Sequence, residues 1–237
     1  MLFAIICAGG TGERMGAKMP KQFLPLDEKP ILVYTLEKFI ACSEFDAYFL
    51  GVHPDWTEYT GKLIDKYFPE QKEKIHIVPG GGDRNTTLMN VIGEIQKAFG
   101  DDDSHKIITH DAVRPFVTGG IIRANIEALK TCDAVGTAVP ATDTIVQTFD
   151  GENISAVPDR KNMYLIQTPQ SYRMNRLKEL YGSLDDEEKK TLTDACGIFV
   201  KKGEQVRLVK GAYTNIKITT KGDMIIADAL AKAGNIV

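Results

Sequence analysis

Seven consecutive apolar residues, Leu2–Ala8, run straight into four glycines within eight positions, Gly9, Gly10, Gly12 and Gly16. No other stretch constrains the chain as much. A run that short and continuous has no polar side to offer water, so it fits a strand covered on both faces, as in a parallel sheet between helices. Glycine lacks a Cβ, which lets backbone N–H groups approach a ligand and converge on an anion. Arg14 and Lys21 add positive charge to the same stretch. Taken by itself the loop is either a plain turn or a phosphate cradle. It is neither G-x-G-x-x-G, because position 15 is Met, nor a Walker A loop, because no Gly-Lys-Ser/Thr follows.

The rest of the chain repeats the alternation. Strand-like runs are expected at Leu2–Ala8, Ala47–Val52, Ile75–Pro79, Lys106–His110, Ala134–Val139 and Val206–Lys210. Helical patterns are expected at Ile31–Ala41, Trp56–Tyr67, Arg84–Phe99, Gly119–Leu129, Met174–Leu180, Asp194–Lys201 and Gly222–Ala233. Such alternation predicts an α/β fold with a mostly parallel sheet and ligands at the carboxyl ends of its strands. With 237 residues the chain suits a single domain over 1–237. A net charge of −3 argues against a general nucleic-acid surface. Four scattered cysteines without a C-x-x-C pair suggest free thiols in a reducing cytoplasm. No basic leader and no apolar run of about 18 residues is present, so no membrane partner is expected.

Three further stretches carry chemistry. Gly80-Gly81-Gly82-Asp83-Arg84-Asn85-Thr86-Thr87 follows the third strand. It reads either as a ligand loop or as a capped helix start, with Asp83 or Asn85 as the cap. His110-Asp111-Ala112-Val113-Arg114-Pro115-Phe116 follows the fourth. Asp111 there is a natural Mg2+ ligand beside phosphates, or else an N-cap or a structural pair with Arg114. Alternation on both sides of Asp150-Gly151 predicts a β-hairpin. Its unpaired edges would want a partner.

The motifs A-G-G-T-G-E-R-M-G, P-K-Q-F-L, G-G-x-R-x-x-T, H-D-A-V-R-P-F and N-I-K-I-T, in that order, resemble the sugar-phosphate and polyol-phosphate cytidylyltransferase family. The resemblance implies a Rossmann-like three-layer αβα nucleotidyltransferase fold with a β-arm at about 140–165 that crosses to a second subunit of a homodimer. It implies CTP bound by Cys7, Ala8, Gly9, Gly10, Thr11, Gly12, Met15 and Gly16, by Gly81, Gly82, Asp83, Arg84, Asn85, Thr86 and Thr87, and by Asp111 and Ala112. Asp111 would hold Mg2+. Arg14, Lys21, Arg160 and Lys217 would be catalytic, and Thr144, Arg160, Thr168, Thr193 and Lys217 would grip the acceptor phosphate. For Arg160 a surface salt bridge is the alternative. His110 is read as loop support rather than a base, and Thr193 as a helix N-cap. Some relatives carry an Asp before N-I-K as a second metal ligand; here Ala212, Tyr213 and Thr214 stand there.

Two branches of the family differ in acceptor, ribitol 5-phosphate or 2-C-methyl-D-erythritol 4-phosphate. Val113 before Arg114, the Gly-Val-His-Pro-Asp-Trp run at 51–56 and the 181–203 stretch resemble the ribitol branch, which makes CDP-ribitol for wall teichoic acid. A reductase supplying ribitol 5-phosphate is then a candidate partner. A non-catalytic nucleotide sensor would share the glycine loops but has little use for the paired cations and acceptor groups. An NAD-dependent oxidoreductase would share the sheet, but the glycine spacing fails its fingerprint.

Overall fold

A computed structural model describes residues 1–10 and 19–234. The first strand, β1 (Leu2–Ala8), is followed by a short antiparallel pair, β2 (Pro25–Leu26) and β3 (Lys29–Pro30), and by helix α1 (Ile31–Cys42). Then come β4 (Ala47–Val52), α2 (Thr57–Tyr67), β5 (Ile75–Pro79), α3 (Arg84–Phe99), β6 (Lys106–Asp111), α4 (Gly119–Ala128) and β7 (Ala134–Pro140). The C-terminal third holds β8 (Tyr164–Arg173), α5 (Met174–Gly182), α6 (Asp186–Lys190), α7 (Cys196–Lys201), β9 (Arg207–Lys210) and α8 (Lys221–Lys232).

The central sheet has seven strands in the order β5-β4-β1-β6-β8-β7-β9. Every neighbouring pair is parallel except those that β8 makes with β6 and β7. Strand β1 lies inside, and its side chains go alternately to two cores. Ala4, Ile6 and Ala8 meet Leu32, Leu36 and Phe39 of α1 and Leu63 of α2. Phe3 and Ile5 meet Leu88, Val91 and Ile95 of α3 and Leu177 of α5. This explains the unbroken apolar run. Burying each large aliphatic or aromatic side chain is worth about 1.5–3 kcal/mol. It also fixes where β1 ends, because the glycines that follow have no side chain to add to either core.

Three expectations need correction. Strand β8 lies outside the expected strands, and Pro169 within it is unusual for a sheet interior. The sheet accommodates it with a bulge: Gly136 pairs with Gln170 while the next residue, Thr137, pairs with Gln167. The carbonyl of Pro169 accepts instead from the Thr137 hydroxyl at 2.6 Å. The expected hairpin around Asp150-Gly151 shrinks to one bridge, Gln147 to Ala156. Its tip is organised by the Asp150 carboxylate, which accepts from the N–H groups of Glu152 and Asn153, with Gly151 at φ +78°. The segment still projects, with Phe149 84%, Ile154 65% and Val157 60% exposed. Thr193 is exposed and is not a cap; Asp194 does that work for α7, accepting from Gly197 N at 3.0 Å. Among the described residues the cysteines are free, and no helix is long and apolar enough to cross a membrane.

Candidate active site

A cavity of about 430 Å³ opens at the carboxyl ends of β1, β4, β5 and β6. Its walls come from Cys7 to Gly10, Lys21 and Gln22, His53, Gly81 to Arg84, Thr87, Asp111 to Val113, and Lys217. Parallel strands put successive loops on one rim, so segments distant in sequence converge there.

The glycine stretch is anchored from below by Gln22. This side chain is 2% exposed and its Nε2 donates to Ala8 O at 2.6 Å and to Gly10 O at 3.0 Å. Gln22 sits in a single 3-10 turn, Lys21–Phe23, and Phe23 stacks on Trp56 with centroids 5.1 Å apart. Lys21 therefore faces the cavity from a turn whose other two side chains are locked inside. Thr11, Gly12, Arg14, Met15 and Gly16 lie outside the described residues.

On the next wall Asp83 is the cap of α3. Its Oδ1 accepts from Asn85 N at 2.8 Å and Thr86 N at 2.9 Å. The Thr87 hydroxyl accepts from Gly81 N at 3.0 Å and donates to Asp83 O at 2.8 Å, folding the loop back on the helix. Gly81 has no room for a side chain, since a Cβ would come within 2.4 Å of Thr86 Cγ2. The loop is a capped helix start, with Asp83 rather than Asn85 as the cap, and it also lines the cavity. Asn85 is buried and Thr86 is spent on Asp83; neither is on the cavity wall.

At the centre stands Asp111, 6% exposed. Lys217 Nζ lies 3.0 Å from its Oδ2, Arg114 Nε donates to the same oxygen at 3.2 Å, and Arg84 Nε lies 3.5 Å from Oδ1. Burial would push the carboxyl up, but Arg84, Lys217 and Arg114 outweigh it and hold it well below the usual carboxylate range. Burial likewise pushes the Cys7 thiol up, partly offset by Arg84, so Cys7 is a neutral wall. Arg84 has both terminal nitrogens, Nη1 and Nη2, buried without a hydrogen-bond partner. Buried guanidinium donors without acceptors cost free energy unless an incoming ligand supplies one. Among the described residues the site therefore has one buried acid, several cations and an open donor fork, which is the chemistry of a polyanion receptor.

His110 is fully buried, and its Nε2 donates to Arg114 O at 3.1 Å. Burial drives its pKa down to about 3, so it stays a neutral imidazole that shapes the loop. That agrees with its reading as support. For a divalent ion the described residues offer the Asp111 carboxylate at the centre of the site. Among the described residues no group of three or more His, Cys, Asp or Glu can hold one. Asp111 would give one carboxylate and phosphate and water oxygens the rest, a mode that suits Mg2+.

The acceptor residues divide. Lys217 reaches the cavity. Thr168 is 4% exposed and its hydroxyl accepts from Asp111 N at 3.1 Å, so it holds the end of β6. Thr144 and Arg160 are exposed on the projecting segment, where Arg160 Nη1 donates to Thr142 O at 2.9 Å and makes no salt bridge among the described residues. Neither they nor Thr193 line the cavity of this chain. The pair of Asp111 with Arg114, one of the alternatives open from the sequence, is present; sequence reasoning gave no role to Gln22, His53 and Asn215. His53 follows the end of β4 and was open to the same rule that found the other loops. The amides of Gln22 and Asn215 carry no periodic or charge signal, because their partners, backbone carbonyls and the Gln167 side chain, are distant in sequence.

A family model described as IspD, 2-C-methyl-D-erythritol 4-phosphate cytidylyltransferase, matches residues 2–233. The ribitol-5-phosphate cytidylyltransferases of Streptococcus pneumoniae strains D39 and R6 are each 48% identical over 231 residues, 97% of this chain and 98% of theirs. Among solved structures, the 4-diphosphocytidyl-2C-methyl-D-erythritol synthase of Anaerococcus prevotii superposes with a TM-score of 0.79 at 29% identity, covering 98% of both chains. The 2-C-methyl-D-erythritol 4-phosphate cytidylyltransferase of Francisella tularensis gives 0.78 at 27% identity, covering 96% of this chain and 98% of its own.

Proposed function

The chain belongs to the IspD family of cytidylyltransferases, and on that premise we propose that it transfers a cytidylyl group from CTP to D-ribitol 5-phosphate, releasing pyrophosphate. The observation that carries the reading is the cation cluster of Arg84, Arg114 and Lys217 around one buried acid in a glycine-walled cavity. The streptococcal relatives, at 48% identity over nearly full length, support ribitol 5-phosphate as the acceptor. The product, CDP-ribitol, would serve wall teichoic acid synthesis, with a reductase as the source of the acceptor.

The acceptor phosphate attacks the α-phosphorus of CTP in line. A phosphate monoester is already nucleophilic near neutral pH, so no general base is required. His110, buried and neutral, is suited to none. Lys21 and Arg14 stabilise charge that grows on the α-phosphate and the departing pyrophosphate, and Lys217 holds the acceptor phosphate. Arg84 offers Nη1 and Nη2 to the nucleotide. Mg2+ held at Asp111 supplies further charge neutralisation at the phosphates when bound. The exposed apolar side chains of residues 146–157 favour an arm that packs on a second copy. Thr144 and Arg160 then serve the partner's acceptor pocket, which accounts for their distance from the cavity in their own chain. The arm is tested by Phe149→Asp, which should turn a dimer into a monomer in sedimentation.

The test of function is pyrophosphate release with CTP and Mg2+, comparing ribitol 5-phosphate with 2-C-methyl-D-erythritol 4-phosphate. A strong preference for ribitol 5-phosphate supports the proposal. Preference for the methylerythritol ester overturns the acceptor and keeps the chemistry, and release with neither overturns the reaction.

A further inference from the structure

Lys217 does not sit on a helix or strand. It lies in the segment between β9 and α8, where a four-carbon side chain on an irregular backbone would wander unless something fixes the backbone. Residues 211 to 218 are tied to β7, to β8 and to the loop that follows β6. Gly211 N donates to Ala138 O at 2.9 Å, and Gln167 Nε2 donates to Ala212 O at 2.9 Å. The Tyr213 hydroxyl donates to Pro140 O at 2.8 Å. Asn215 is wholly buried, and its Nδ2 donates to Thr168 O at 2.8 Å and to Gln167 Oε1 at 3.2 Å. Its own carbonyl accepts from Arg114 Nη1 at 2.8 Å, and Ile218 N donates to Val113 O at 3.0 Å.

One side chain contacts this segment twice. Gln167, 8% exposed on β8, donates to Ala212 O with its nitrogen and accepts from Asn215 with its oxygen. Gly211 leaves it space, since a Cβ there would come within 2.4 Å of Gln167 Oε1. The next residue on β8, Thr168, holds the amide of Asp111. Two consecutive residues of the bulged strand therefore set the position of both the central carboxylate and the lysine 3.0 Å from it. The only antiparallel strand of the central sheet, among the described residues, is the scaffold of the reacting end of the site.

We propose that Gln167 and Asn215 are positioning residues that hold Lys217 in register with Asp111, so that its ammonium meets the acceptor phosphate as the new bond forms. This rests on the role given to Lys217 above. A charged group displaced by about 1 Å costs up to about 100-fold in rate without touching substrate itself.

The test is a double-mutant cycle on kcat and on KM for CTP. Gln167→Met keeps size and removes both hydrogen bonds. Alone it should lower kcat about 10-fold and leave KM for CTP within about twofold, as expected for an interaction realised only in the transition state. In a Lys217→Ala background it should lower kcat no further, because the group it positions is gone. Tyr213→Phe, at a half-exposed position where folding is safe, should give the same pattern at about threefold, the scale of one neutral hydrogen bond. Losses that multiply in the Lys217→Ala background, or a lowered Tm with normal kcat, would reduce the network to a structural one and overturn the inference. Full activity of Lys217→Ala alone would overturn the role of Lys217 and the inference with it.

Discussion

Asp111→Asn removes one negative charge and almost no volume from the centre of the cation cluster. Lys217, Arg114 and Arg84 stand 3.0, 3.2 and 3.5 Å from its oxygens and would lose their shared counter-charge. Breaking a buried pair from one side costs about 3–5 kcal/mol, because the remaining charge stays desolvated. The Lys217 side chain is 40% exposed and recovers part of its loss in water, whereas those of Arg84 and Arg114 are 21% and 11% exposed and do not. The lower end, about 3 kcal/mol, is therefore expected, which for a chain this long lowers Tm by about 6–12 °C. The loss should be reversible by an anion. Tripolyphosphate, added without metal, supplies the missing counter-charge and should raise the Tm of Asp111→Asn more than that of the wild type. The sign with pH follows from the depressed carboxyl. Its contribution is complete above the unfolded value of about 3.9 and disappears as pH falls through the lower folded value, so the two proteins converge in acid. Differential scanning fluorimetry near neutral pH reads both effects. A Tm within about 1 °C of the wild type, or an equal response to tripolyphosphate, would refute the view that Asp111 balances this cluster.

Three other perturbations follow from the same geometry. Gln22→Met removes the donor shared by Ala8 O and Gly10 O, and should raise KM for CTP about 10-fold in steady-state kinetics, the equivalent of one or two neutral hydrogen bonds. Gly51→Ala would put a Cβ 2.5 Å from Thr87 Cγ2; it should cost about 1–3 kcal/mol in chemical denaturation and weaken CTP binding through the Thr87–Gly81 bond. His110 is held neutral by burial, with its pKa at about 3, so it stabilises the fold above about 6.5 and that stability is lost as pH falls toward 3. His110→Gln should flatten the acid limb of a Tm–pH profile over that window, and should add no ionisation to the pH profile of kcat.

The sequence alone determined the elements whose side chains obey a period or a run. Strand β1 was visible because a strand covered on both faces needs an unbroken apolar run, and the limits of β4, β5 and α3 follow from their flanking glycines, prolines and the Asp83 cap. It also determined which loops carry chemistry, because parallel strands send every carboxyl-end loop to one rim. The tertiary structure alone decided what Asp111 does. A lone acid in H-D-A-V-R-P-F is compatible with a cap, a pair or a metal ligand, and only folding brings Arg84 to one of its oxygens and Lys217 to the other. Strand β8 belongs to the same class. Its proline contradicts a sheet interior until a bulge, set by pairing with β7, accommodates it. Buried amides such as Gln22, Gln167 and Asn215 were the least legible of all. A hydrogen bond to a backbone carbonyl requires only that the carbonyl be near, and nearness between residues 167 and 212 is a property of the sheet, not of either residue.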